Sequence, residues 1–205
     1  MKNATMKIVA ILVIISATVG TAQASPSDTS MDLLIHKSNE CSAPLIKLEV
    51  ALDALSKAQD DYINVYASPG AAQETGRTAL VKLESRKTDA TILFYQLIGA
   101  TPESIAKLEK AENVFNADLV DLLEPHNKIT NADKSKFLER LHKNDLEHNK
   151  IEAIERKMNI ALGIPPNAGL EDSIETPKHT TFISILSKKR DACVGEIRNK
   201  MKADN

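Results

Sequence analysis

The residues with the clearest capacity for chemistry lie in the stretch DLEHNKIEAIE, where Asp145, His148, Glu152 and Glu155 recur at steps of three and four. On a helix turning about 100° per residue these four fall within an arc of roughly 80°, so their side chains can meet. An imidazole one turn before a carboxylate is a usable pair for a divalent ion. Asp145, one turn before the histidine, completes a candidate metal set of Asp145, His148 and Glu152. Upstream, Glu139-Arg140-Leu141-His142 adds a Glu-x-x-His. Di-iron bundles need that motif on two helices with further glutamates from two more, and the chain has no second copy.

The same helix also supports a reading without chemistry. Phe137, Leu138 and Leu141 form the apolar line of its first half, and Asp145, His148, Glu152 and Asn159 continue that line. Ile151, Ile154, Met158 and Leu162 sit roughly 100° round from it. Supercoil drift accounts for only about 20° per heptad. The helix therefore either bends near Asn144 or passes from one packing partner to another, and the first expectation for the stretch is a wet, charge-paired face. A metal site ranks well below it. A partner-binding surface is the remaining option, using Glu155 and Asn159 together with Leu170 and Ile174 of the loop beyond.

These residues need elements to hold them, and the apolar spacing predicts helices throughout. Leu45, Leu48, Leu52, Leu55, Tyr62 and Tyr66 step by threes and fours, with Gln59 in the one missing place, which reads as a long amphipathic helix. Pro44 marks its expected first turn, with a shorter helical piece over 30–40 before it. A second helix over 72–98 carries Leu80, Leu83, Ala90, Phe94 and Leu97, and Gly99 supplies its stop. Thr101-Pro102-Glu103 opens a third, with Ile105, Leu108, Phe115, Leu119 and Leu122 as its stripe. Thr130 to Asp133 has the form of a capping box and opens the fourth helix, which Gly163-Ile164-Pro165-Pro166 ends. A long loop leads to Lys178, and a fifth helix over 180–201 aligns Phe182, Leu186, Cys193, Ile197 and Met201. No alternating strand pattern occurs. The expected fold is all-α: a single-domain, mostly antiparallel bundle of about five helices.

The N-terminus MKNATMKIVAILVIISATVGTAQA orders Lys2 and Lys7, an apolar run and Ala22-Gln23-Ala24 as a secretory signal does. The expected division is thus residues 1–24 as signal peptide and 25–205 as the bundle. The apolar run is too short for a membrane anchor of about 20 residues. The chain's 26 basic side chains then lose Lys2 and Lys7, leaving 24 against 28 acidic ones and a formal charge of −4. That balance disfavours a nucleic-acid partner, and with no Trp and only three Tyr and four Phe there is little to stack bases or sugars on. In an exported chain the only two cysteines, Cys41 and Cys193, read as one disulfide.

No Gly-x-Ser-x-Gly elbow, phosphate loop or His-Glu-x-x-His occurs, and no cofactor is implied. His36, His126 and His179 are scattered and read as surface side chains, and Asp60-Asp61 as a solvated face with no evident basic partner. The expectation is a periplasmic or secreted, non-catalytic, protein-binding bundle whose partner is basic, with an inhibitor or immunity protein ranked ahead of a chaperone. The alternatives are a small-ligand or metal-binding bundle and an interface-active surface protein.

Overall fold

A computed structural model describes residues 26–66, 73–122, 131–169 and 178–203. They form five helices: α1 (Pro26–Tyr66), α2 (Gln73–Ile98), α3 (Pro102–Leu122), α4 (Asn131–Ala161) and α5 (Lys178–Ala203). The described residues contain no strand. The protein is thus an all-α bundle, and a Cys41–Cys193 disulfide ties α1 to α5 with a Cα–Cα distance of 5.9 Å. The expected signal peptide lies outside the described residues, as do Leu170 and Ile174 of the proposed partner surface. No described helix is long and apolar enough to cross a membrane.

The heptad-like stripe of α1 buries Leu45, Leu48, Leu52 and Leu55 as its spacing requires. The gap in that stripe is closed by Ala58, which is fully buried, rather than by Gln59. A second difference lies at Pro44, which sits inside α1 instead of opening it. Proline at that place removes one N–H and releases the carbonyl a turn earlier, yet the helix continues on both sides. Ser42 Oγ, donating to Ser38 O at 3.0 Å, is the kind of local side-chain bond that accompanies such distortion. What carries α1 across the proline is tertiary: the disulfide at Cys41 and the buried Leu45 and Leu48 anchor it on either side.

α2 and α4 end in the same way. Gly99 has φ +94° and Gly163 φ +68°, the left-handed region in which glycine lacks the Cβ penalty. Ala100 N donates to Tyr95 O and Gly99 N to Gln96 O, at 2.9 and 3.2 Å. Ile164 N donates to Asn159 O and Gly163 N to Ile160 O, at 3.0 and 3.2 Å. Each set is a Schellman motif satisfying the last carbonyls of its helix. α3 begins on Thr101, whose Oγ1 accepts from Ser104 N at 3.3 Å, an N-cap as its sequence predicts.

Packing links α1 to α2 and α5, α2 to α3, and α3 to α4. The core is continuous across them. Phe94 of α2 stacks on Phe182 of α5 with ring centroids 3.5 Å apart, and Tyr95 meets both edge-on. Leu108, Ile151 and Met158 extend this core to α3 and α4.

Candidate functional site

α4 settles into the bundle along Asn144, Ile151 and Met158, which are buried at seven-residue steps. Its antiparallel register on α3 is fixed by Lys143 Nζ to Asp118 Oδ1 at 2.9 Å and by Asn144 Nδ2 donating to Phe115 O at 3.4 Å. α3 ends one turn beyond Asp118, at Leu122. The first turns of α4 overrun it, and the apolar line expected there is exposed, with Leu138 at 62 % and Phe137 and Leu141 about 40 %. The part of the expectation that the packing bears on is the wet line: Phe137, Leu138 and Leu141 are exposed, while α4 is held to α3 at Lys143 and Asn144.

α3 partly covers His148. The imidazole lies beside the Phe115 ring, with centroids 5.7 Å apart, and its Nε2 is 3.5 Å from Glu152 Oε1. Both side chains belong to a cleft of about 590 Å³ between α2, α3 and α4. Five carboxyls line it: Glu84, Glu112, Asp145, Glu152 and Glu155. Lys87 and His148 are the basic groups among them, and Lys87 Nζ lies 3.2 Å from Glu84 Oε1.

Glu112 is partly enclosed for a physical reason that its sequence position does not reveal. Thr88 Oγ1 donates to Glu112 Oε2 and accepts from Asn116 Nδ2, each at 3.2 Å. This network joins α2 to α3 at the back of the cleft. Burial pushes the Glu112 carboxyl above the usual range, reinforced by the charge of Glu84, while the Thr88 bond and the positive charges of Lys87 and His148 pull it down. The sequence reading missed Glu84, Lys87 and Glu112, because their faces meet the α4 stretch only through the register of three helices.

The candidate set Asp145, His148 and Glu152 does line one cleft. Among the described residues, however, no group of three His, Cys, Asp or Glu side chains is placed to hold a metal ion. The set is a rim of acids around one histidine. Glu155 is half-buried in the same wall.

Asn159 requires a correction. Expected on the partner surface, it is 0 % exposed. Its Nδ2 donates to Pro166 O and Ala168 O at 3.1 and 2.6 Å, and its Oδ1 accepts from the Tyr95 hydroxyl at 2.9 Å. Two carbonyls on one side and a hydroxyl on the other determine the orientation of the amide. Both partners occupy the same place in their helices, four residues before the C-terminal glycine, so this bond joins the ends of α2 and α4. The signal available in the sequence was that position, not the residue type. Burial and the charge of Glu155 push the Tyr95 hydroxyl well above the ordinary tyrosine range, which keeps it a neutral donor.

Asp61 also differs from expectation, since Lys82 of α2 reaches it at 2.6 Å. His36 is exposed and pairs with Glu40 at 3.5 Å. The side chains of His126 and His179 lie outside the described residues. No family model, curated protein or solved structure matches this chain.

Proposed function

We propose that this chain is an exported, non-catalytic binding protein that engages a basic segment of another exported protein through the cleft between α2, α3 and α4, with an inhibitor or immunity role ranked ahead of a chaperone role. The observation that carries this reading is the excess of carboxyls in the cleft, where Glu84, Glu112, Asp145, Glu152 and Glu155 face one lysine and one histidine. Carboxylates grouped in a partly desolvated recess favour lysine or arginine side chains and speed their encounter more than they favour a neutral partner. Export is supported by the Lys-apolar-Ala-x-Ala order of residues 1–24 and by the disulfide, a bond that persists in oxidising compartments.

A second reading, a small organic cation as ligand, is favoured by the cleft's volume of about 590 Å³, within the range of small-molecule sites. One experiment separates the two. A photo-crosslinker at Asp145, on the cleft rim, is expected to trap one basic protein in the exported fraction, and Glu152→Lys with Glu155→Lys is expected to abolish the adduct. An adduct that survives this double charge reversal would exclude the cleft. Loss of the adduct to added small diamines but not to sodium chloride of equal ionic strength would favour the organic cation.

A further inference from the structure

A second recess has the opposite polarity. It lies between α1, the C-terminal end of α2 and α5, beside the disulfide, and has a volume of about 450 Å³. Its floor is apolar: Leu97, Leu186 and Ile197 line it, with Leu186 only 2 % exposed, and the Cys41–Cys193 bond closes one side. Among the described residues, Lys37, Lys189 and Arg190 also line it, with Glu40 as the one lining carboxylate.

Two of the three cations are bonded to neighbours and still keep further donors. Glu40 lies 3.5 Å from His36 Nδ1, on the exposed side of α1. Lys189 Nζ donates to Ile98 O at 2.9 Å, where a cation suits the negative end of the α2 dipole, and an ammonium has two further N–H groups. Arg190 grips the adjacent Asp191 through Nε and Nη2, at 2.9 and 2.8 Å to one oxygen, which leaves the Nη1 donors for another acceptor.

An apolar floor beneath a cationic rim defines its occupant by chemistry. A bare inorganic anion would leave the floor unfilled. A neutral hydrocarbon would leave the rim without a counter-charge. A metal ion would meet ammonium and guanidinium groups, which do not ligate.

We propose that this recess binds a medium-chain carboxylate, its unbranched tail against Leu97, Leu186 and Ile197 and its head held by Lys37 and Arg190. The site is independent of the acidic cleft, which selects ligands of opposite charge. Its volume lies within the range for small-ligand sites, and the apolar area covered by the tail supplies the main driving force.

Calorimetric titration of the purified oxidised protein with decanoate below its micellar concentration tests this. Saturable one-to-one binding is expected, with decanol and acetate each weaker by roughly tenfold or more, since one lacks the head and the other the tail. Lys37→Gln with Arg190→Gln is expected to weaken decanoate by a similar factor while the far-ultraviolet dichroism stays unchanged. The cleft variant Glu152→Lys with Glu155→Lys is expected to bind decanoate as the parent does, so failure of one site is distinguishable from failure of the other. Absence of saturable decanoate binding, or decanol binding as tightly, would overturn the proposal. So would a folded Lys37→Gln, Arg190→Gln protein that binds decanoate undiminished.

Discussion

The Tyr95–Asn159 bond is a side-chain hydrogen bond inside the core, and it joins the C-terminal ends of α2 and α4. Each partner is fully buried, and the Asn159 amide meets three groups from two directions. A buried acceptor that loses its donor retains its desolvation cost, about 1–3 kcal/mol. Tyr95→Phe preserves the ring packing against Phe94 and Phe182 and strips only that donor, so it is expected to destabilise by that amount. Asn159→Ala orphans the Tyr95 hydroxyl and both loop carbonyls and is expected to cost upwards of about 3 kcal/mol. Each kcal/mol corresponds to about 2–4 °C in a chain of this size, so thermal melts resolve both. The double variant should cost less than the sum of the two, because the bond is lost once. A neutral Tyr95→Phe, or strict additivity, would show that this contact is incidental.

At the scale of the helices, most of what the sequence made legible was periodic. The apolar steps of α2, α3 and α5 place Leu83, Phe94, Leu108, Phe182 and Leu186 in the core, and Gly99 and Thr101 mark the stop and start as their chemistry requires. Local rules were misleading where tertiary contacts outweighed them. Asn159 is polar yet buried, Ala58 replaces Gln59, and the acidic cleft is assembled from three helices whose register no single stretch encodes. Pro44 is the clearest case, since its ring and missing N–H argue for a helix start and the helix runs through it. If disulfide and core override proline's local penalty, that penalty is still present. Pro44→Ala restores one backbone donor and removes the clash, which in a helix interior amounts to about 3 kcal/mol or more, offset by about 0.4–1 kcal/mol from a freer unfolded chain. The expected result is a gain of about 2 kcal/mol, read from the urea midpoint at unchanged slope. A loss would mean that a break at Pro44 is built into the bundle.

For the molecule as a whole, the disulfide divides the helices into those it restrains and those it does not. The bond joins residues 152 apart in sequence, and closing a loop of that length is worth about 5 kcal/mol in the chain-entropy model. That is comparable to the whole stability of many domains, about 5–15 kcal/mol, so the reduced protein should be marginal. The loss should also be uneven. α5 packs chiefly on α1 and is held elsewhere by the Phe94–Phe182 stack and the Lys189 bond to Ile98. Without the bond it can swing away while α3 and α4 stay paired, because their contacts with each other and with α2 do not involve α1 or α5. Hydrogen exchange in mild reductant is therefore expected to accelerate first in α5 and in α1 around Cys41, while amides of α3 and α4 that open locally keep their rates. Cys41→Ser with Cys193→Ser should reproduce the pattern without reductant. Uniform acceleration in all five helices would instead mean that the bundle opens as one cooperative unit, and that the bond acts only by restricting the unfolded chain.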